Sequence, residues 1–405
     1  MRTKGRINRL TGLFAAVYMV SYMTRINFGA VLSEIETSTG WPRTLLSGVV
    51  TGSFITYGAG QLVSGYIADC YSPKRLLFGG LVLTSLMNLM MAFCPSPRLM
   101  LVIWCVNGFA QAFMWPPLAR LMVATFHGDI YKKASVRVTF GSAIGTILIY
   151  FVAPLLFTWF NWRAVFCFSA LCGVTMALFW QKFCIDINQM ERPKTQPRQL
   201  PTKRKFGIFL RPPVLAVMLA IVLQGMLRDG VTTWMPTYIA DTYHLGTLVS
   251  IMTGTVMPLF TILYTELASL LYRKKLKNPV TCAAALFAMG VVAALSLAII
   301  TGKSAALSVA SSALLTGSMQ GVCTLLTAMT LPAFEPSGNV STVSGVFNAC
   351  TYIGSSISTY GIALVSECSG WSFTILVWLG IAALGASVCL LAAHAWKYNF
   401  MTVND

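Results

Sequence analysis

Acidic residues are nearly missing from this chain, with 12 Asp and Glu among 405 positions. Charged residues of both signs make up 10% of it, where a soluble domain carries about 25%. A chain so short of charge cannot clothe its surface for water, which excludes an ordinary soluble globule. Histidine is scarcer still: His127, His244 and His394 all fall near the ends of apolar runs. The 11 cysteines include no CxxC and no Cys/His metal spacing, and read as small buried hydrophobes. There is no Gly-rich phosphate loop and no Ser/His/Asp arrangement. An enzyme is therefore not expected, nor a metal or an organic cofactor, and ATP-driven transport would need a partner subunit.

What the chain does have is apolar length. Hydrophobic residues reach 56% and mean hydropathy is +0.71. Runs of 20 or more apolar residues recur, each long enough to cross ~30 Å of hydrocarbon as a helix. The ~10-residue alternation of a β-barrel is missing. The first run is too long for a signal sequence and no small-residue cleavage site follows it, so it reads as a helix. Turn residues and charges divide the chain into twelve expected spans: 8–32, 44–70, 75–94, 98–126, 134–159, 162–184, 212–240, 246–271, 279–301, 304–332, 339–366 and 371–396. The fold class is an all-α, multi-pass membrane protein in the plasma (inner) membrane, with the lipid bilayer as its main partner and a monomer as the expected state.

The net charge of +17 would suit nucleic acid, but its distribution argues otherwise. Lys and Arg gather before the first span, around Lys74 and Arg75, around Lys132 and Lys133, from Lys182 to Arg211, and from Arg273 to Lys277. Only Arg43, Arg98, Arg163 and Lys303 fall in the alternate loops. This is the positive-inside bias, and it predicts that both termini are cytoplasmic.

One long polar stretch, "DINQMERPKTQPRQLPTKRKFG", interrupts the spans. Rich in Pro, Lys and Arg, it reads as a linker over 185–210. It separates an N-terminal six-helix bundle, 1–184, from a C-terminal one, 211–405. The halves echo each other. Gly145 and Gly354 precede Trp162 and Trp371 by the same 17 residues, and Arg25 in the first span has a counterpart, Arg228, in the seventh. Repeats with a site near the midplane are the signature of secondary transporters.

An arginine in mid-span costs a few kcal/mol on insertion scales, so it faces a cavity or a partner. Phe14, Tyr18, Tyr22 and Arg25 share one helix face, as do Gln224, Arg228 and Thr232. Guanidinium is suited to bidentate binding of phosphate or carboxylate. Both arginines are expected to stand without a permanent counterion, so that a small anionic solute supplies one. Asp229 adjoins Arg228, but helix neighbours point ~100° apart, so it need not neutralise it. Other polar stripes fall at Tyr57 and Gln61; Asn107, Gln111 and Trp115; Thr139, Ser142 and Thr146; Gln320, Thr324 and Thr327; and Asn348, Tyr352 and Ser356. For each stripe, helix packing competes with substrate contact. The loop "GYIADCYSPKRLLFGG" sets Gly65, Asp69, Lys74 and Arg75 as a cytoplasmic latch, with Asp69 positioned to take helix N-terminal N–H groups or a cation.

That loop resembles the conserved loop of the major facilitator superfamily. Four further stretches are similar to one branch, the organophosphate:phosphate antiporters. "SYMTRINF" resembles the branch's first-helix signature, with Arg25 at its first substrate arginine and Tyr18 and Tyr22 before it. "GFAQAFMWPPLARLM" resembles its fourth helix, and "GMLRDGVTTWMPTYI" its seventh, with Arg228 at the second substrate arginine. "GVFNACTYIGSSIS" resembles its eleventh, with Tyr352 at a gating tyrosine. The resemblance implies alternating-access exchange of a glycerol phosphate or sugar phosphate for inorganic phosphate. The polar stripes would line the same cavity, so substrate contacts are also expected from Tyr57, Gln61, Gln111, Trp115, Ser142, Gln224, Gln320 and Asn348. The chain departs from the glycerophosphate members at Ile26, Gln61 and Ser142, where they have Lys, Lys and His, and at Asp229, where an aromatic is usual. The site is thus less cationic than theirs. Two alternatives stay open. One is a proton-coupled symporter or exporter of an organic carboxylate or other small solute, with Asp229 or Glu266 carrying the proton. The other is a non-transporting organophosphate sensor.

Overall fold

A computed structural model describes residues 2–41, 43–184, 206–244 and 257–400. Most of the expected linker and the start of the eighth expected span, 246–256, lie outside these residues. The helices of the first half are α1 (Arg2–Thr39), α2 (Arg43–Cys70), α3 (Pro73–Ala92), α4 (Pro97–Gln111), α5 (Trp115–Thr125), α6 (Gly128–Trp159) and α7 (Trp162–Phe183). After the 3₁₀ turn Phe206–Leu210 come α8 (Pro212–Tyr243), α9 (Met257–Leu271), α10 (Pro279–Ile300) and α11 (Ala305–Thr324). Val340–Phe400 is continuous in hydrogen bonding, but Gly370 at φ 76° breaks it. This glycine adopts a left-handed conformation that ordinary residues avoid. It separates α12 (340–369) from α13 (371–400).

The chain divides into two compact units. One comprises Met1–Arg204 with Phe334–Val346, and the other Lys205–Ala333 with Phe347–Asp405. Eight helical stretches among the described residues are long and apolar enough to cross a membrane: Pro73–Ala92, Pro97–Thr125, Gly128–Leu156, Trp162–Phe183, Pro212–Met235, Pro279–Ile300, Ala305–Ser337 and Cys368–Phe400. α9, described over 15 residues, is too short to be among them, and α1, α2 and α12 are left out for their composition. α1 buries Thr24 and Asn27, α2 buries Gln61 and Ser64, and α12 buries Thr351 and Ser358.

Local chemistry explains the breaks. Pro116 and Pro117 have no N–H to give to the preceding turn, so α4 stops at Gln111 and α5 restarts at Trp115 through a tight turn over 112–114. Ser96, Asn161, Asn278 and Ser304 accept from backbone amides at the starts of α4, α7, α10 and α11. In the first unit an aromatic core forms around Phe28. Trp104 lies 5.4 Å away and Phe166 6.1 Å, between ring centroids. Large apolar side chains such as Phe151, Trp159, Leu171 and Leu391 stay outside, as expected of a surface solvated by lipid tails.

Glycine brings the helices within backbone contact at matching points. A Cβ on Gly145 in α6 would run into the carbonyl oxygen of Met19 in α1. A Cβ on Gly354 in α12 would run into the carbonyl oxygen of Val222 in α8. Met19 lies six residues before Arg25, and Val222 six before Arg228. Each unit therefore hangs its arginine at the same distance from the same glycine crossing.

Candidate functional site

In the first unit, α1 presents Tyr18, Tyr22 and Arg25 on one face, as its 3.6-residue period requires. The Arg25 guanidinium carbon sits 4.3 Å from the centroid of the Tyr22 ring and 4.7 Å from that of Tyr57, which α2 supplies. Tyr18 packs on Tyr22 at 5.1 Å and on Trp115, at the start of α5, at 5.0 Å. The five residues, scattered over 98 positions of sequence, make one cluster in which Tyr22 and Tyr57 stack on the cation and Tyr18 and Trp115 back them. Each ring face is worth about 0.5–2 kcal/mol to a cation, more as water is excluded. Stacking uses the faces of a guanidinium, whereas a carboxylate or phosphate uses its in-plane N–H groups. The two kinds of contact do not compete.

Beneath the cluster lies a knot of polar side chains that sequence reasoning missed. Asn27 donates to Asn88 Oδ1 at 2.7 Å and to Ser169 at 2.9 Å. Asn88 donates to the carbonyls of Thr24 and Thr84. Asn107 donates to the Thr24 carbonyl and accepts from Thr84. Gln111, expected to line a cavity, donates to Thr24 Oγ1 and Thr84 Oγ1, both at 2.8 Å, and is almost wholly buried. Its amide ties α1, α3 and α4 together. That placement corrects the expectation for Gln111: its amide turns into its own unit, where α1 and α3 offer acceptors at Thr24 Oγ1 and Thr84 Oγ1. Ser142 likewise bonds to a carbonyl of its own helix, that of Thr139. Gln61 is fully buried on α2.

The second unit treats its arginine differently. Arg228 Nε lies 2.6 Å from Asp229 Oδ1, and Nη2 lies 2.9 Å from Oδ2. The remaining nitrogen, Nη1, reaches Cys323 Sγ of α11 at 3.4 Å. Ser355 of α12 donates to Asp229 Oδ2. The expectation that Arg228 stands without a protein counterion is therefore corrected. The arginine side chain is long enough to fold round the helix to its neighbour, and Ser355 steadies the carboxylate there. Gln224, one turn before Arg228, is fully buried, and neither atom of its amide is hydrogen bonded among the described residues. Tyr352 acts electrostatically on the same guanidinium. Asn348 and Gln320 are half-buried on α12 and α11. Glu266 is half-buried on α9 and has no ion pair among the described residues, so only Asp229 of the two named acids meets Arg228. Cys323 and Ser355 escaped sequence reasoning. Ser355 falls between the residues of the α12 stripe, and the clue to it was the small-residue spacing Thr351, Gly354, Ser358 on the face that meets α8.

The loop after α2 is built as a helix cap. Asp69 accepts from the backbone N–H of Ser341 at 2.9 Å and of Thr342 at 2.7 Å, and from the Thr342 hydroxyl at 2.6 Å. These are the first amides of α12, which have no partner inside the helix and carry its positive dipole end. Arg120 of α5 stands 3.9 Å from Asp69 and donates to the carbonyls of Ala68 and Tyr71. Gly65 is there because a Cβ would come within 2.6 Å of the Ser341 carbonyl. Arg75 is exposed and Lys74 half-buried. The carbonyl of Lys74 takes the indole N–H of Trp180.

The sequence model named Major Facilitator Superfamily matches residues 14–359. The chain is 26% identical over 258 residues to the "Glycerol-3-phosphate transporter" of Bacillus subtilis (strain 168), covering 58% of each. It is 23% identical over 262 residues to the "Membrane sensor protein UhpC" of Escherichia coli (strain K12), covering 59% of this chain and 58% of that one. The chain thus spans little more than half the length of these curated relatives. Among solved structures, the proton:xylose symporter XylE superposes with a TM-score of 0.78 over 98% of this chain and 96% of that one, at 14% identity. At that identity the likeness speaks for the fold alone.

Proposed function

This chain belongs to the Major Facilitator Superfamily, and from that premise we propose that it carries a small organic anion across the membrane by alternating access. The favoured cargo is a phosphate ester, a glycerol phosphate or sugar phosphate, exchanged for inorganic phosphate. Arg25 and Arg228 are the groups that hold its head group. One observation carries the reading: each arginine lies six residues beyond a glycine-locked helix crossing, Met19 against Gly145 and Val222 against Gly354. Two guanidiniums at one address of a duplicated fold are a binding motif rather than two accidents, because each costs several kcal/mol to bring into a membrane. The glycerol-3-phosphate transporter of Bacillus subtilis supports the choice of cargo.

In this reading the helices form twelve spans in two six-helix bundles, both termini are cytoplasmic, and the protein sits in the plasma membrane. The Tyr18, Tyr22, Tyr57 and Trp115 rings hold Arg25 while it presents its in-plane N–H groups. Gln224, with Asn348, Tyr352 and Gln320, supplies neutral hydrogen-bonding groups on the Arg228 side. Asp69 on the α12 amides, with Gly65, Lys74 and Arg75, is the latch that holds one gate shut. Cargo binding offsets the cost of closing dry walls over cationic groups, and that differential drives the loaded carrier across.

Proteoliposomes loaded with phosphate and challenged with glycerol phosphates, sugar phosphates and organic carboxylates test this. Counterflow of at least one phosphate ester is expected, with a loss of about a hundredfold or more in Arg25→Ala, since both the charge and the bidentate geometry go. Native flux in that variant would refute the assignment. The Arg228–Asp229 pair favours one second reading, proton-coupled uptake with Asp229 as the carrier. Uptake that acidifies the lumen and disappears in Asp229→Asn would select it.

A further inference from the structure

We propose that the basic turn between α9 and α10 is a binding site for an anionic phospholipid, whose headgroup phosphate it holds. All of its residues belong to the second unit, and the site is independent of which cargo the chain carries.

After Leu271 the helix loosens into a π turn, Tyr272–Leu276, a form that occurs mostly as single turns and often at functional sites. Arg273, Lys274, Lys275 and Lys277 crowd four positive charges into five residues. No ion pair neutralises them among the described residues. Glu266 is the one acid on α9, and it lies seven residues before Arg273, about 10 Å along the axis at 1.5 Å per residue. Lys274, Lys275 and Lys277 are exposed and Arg273 is half-buried. The Arg273 Nε is itself buried, with no hydrogen-bond partner among the described residues. A buried donor on a charged group is costly to leave unpaired, and like charges this close repel. An anion with several acceptor oxygens relieves both.

Lys277 adds a backbone argument. Its φ of 44° is left-handed, a conformation glycine takes freely after a helix and other residues take under strain. A lysine there accepts the strain and sets an ammonium one residue before Asn278, the cap of α10. The cap fixes the turn in place. Asn278 accepts from the Val280 N–H at 3.0 Å and donates to the Ala393 carbonyl of α13, also at 3.0 Å. The positive dipole end of the 22-residue α10 therefore opens beside Lys277. Exposed Lys397 stands one turn beyond Ala393 on the same side of α13.

The surroundings are those of a lipid rather than of a free anion. α10 is long and apolar enough to cross a membrane, so the turn just before Pro279 lies at headgroup level. Leu263, Leu267 and Leu270 follow i, i+4, i+7 spacing on α9 and form one face that leads to the turn. The first two are exposed and the third half-buried, and Leu276 is exposed within the turn itself. An apolar stripe topped by cations matches acyl chains below a phosphate.

The test titrates the full-length chain in detergent with phosphatidylglycerol or phosphatidylcholine, with and without inorganic phosphate, and counts retained lipid by native mass spectrometry. One phosphatidylglycerol is expected to bind about tenfold or more tighter than phosphatidylcholine, and inorganic phosphate should not displace it. At about one Lys or Arg contact per fivefold in affinity, Lys277→Gly should weaken phosphatidylglycerol by about fivefold. The pair Arg273→Gln with Lys275→Gln should weaken it by about twentyfold. Glycine suits the left-handed position, so the lipid-free Lys277→Gly chain should melt at or above the native temperature. That variant separates loss of the site from loss of the fold. Lys132→Gln with Lys133→Gln removes two charges from the first unit and should leave retention unchanged. Native retention in Lys277→Gly and in the Arg273 and Lys275 pair overturns the inference. An equal loss in the Lys132 and Lys133 pair also overturns it, because bulk charge would then account for binding. Displacement by inorganic phosphate overturns it too, since the turn would then hold a free anion.

Discussion

At the residue scale, the two arginines show one cation held in two ways. Arg25 is wrapped by ring faces from α1 and α2, whereas Arg228 is gripped by an acid on its own helix. The ring box is adaptable, because a quadrupole holds a cation without neutralising it. The acid pair is oriented and neutral. Deep in the first unit, Asn88 shows how tightly polar groups are accounted for there, with bonds to Asn27 and to the carbonyls of Thr24 and Thr84. Asn88→Ala removes three hydrogen bonds from the apolar interior, although Asn27 keeps its bond to Ser169 and the Thr24 carbonyl its bond from Asn107. It should cost about 0.5–1.5 kcal/mol per lost bond, read as a lower midpoint of thermal unfolding in detergent. A variant that melts with the native chain would show that the knot is not structural.

At the element scale, helix ends and crossings carry the organisation. The start of α12 depends on Asp69, which takes two of its first amides and a hydroxyl. Replacing a capping carboxylate costs about 1 kcal/mol or more. Asp69→Ala should therefore raise hydrogen exchange at the Ser341 and Thr342 amides by about tenfold, with little change in the middle of α12. Unchanged exchange at both amides would show that the cap contributes nothing. The crossing at Gly354 is less forgiving. Leucine there would drive the α8 and α12 backbones apart, so Gly354→Leu should lower the yield of folded protein, and Gly145→Leu should do the same in the first unit through Met19. Many of these elements were legible beforehand. The expected spans 75–94, 162–184 and 279–301 match α3, α7 and α10, whereas 98–126 was expected as one helix and is broken into α4 and α5 before Pro116 and Pro117. The knot was not legible, because Thr84 and Asn88 lie in an apolar run whose period does not reveal which helix they meet.

At the scale of the whole molecule, charge placement makes an orientation testable. α10 runs from Pro279 to Ile300, 22 residues and about 33 Å at 1.5 Å per residue, enough to cross the hydrocarbon. Lys274 and Lys275 precede it and Lys303 follows it. A membrane-impermeant amine reagent should therefore label Lys274 and Lys275 from one side of sealed vesicles and Lys303 from the other, with the first pair on the cytoplasmic side. Labelling of all three from one side would refute the crossing.

The membrane class, many helix boundaries and the two arginine positions were determined by the sequence alone. These depend on local quantities: apolar length, prolines and glycines that stop a helix, and spacing along one helix. Only the tertiary structure decided what each polar side chain meets. It gave Gln111 to an interior knot, drew Tyr57 and Trp115 onto the face of α1, and set Ser355 and Cys323 beside Arg228 and Asp229. The reason is physical. A helix period specifies a direction around one axis, but the group waiting in that direction belongs to another helix, brought there by glycine crossings far away in the chain.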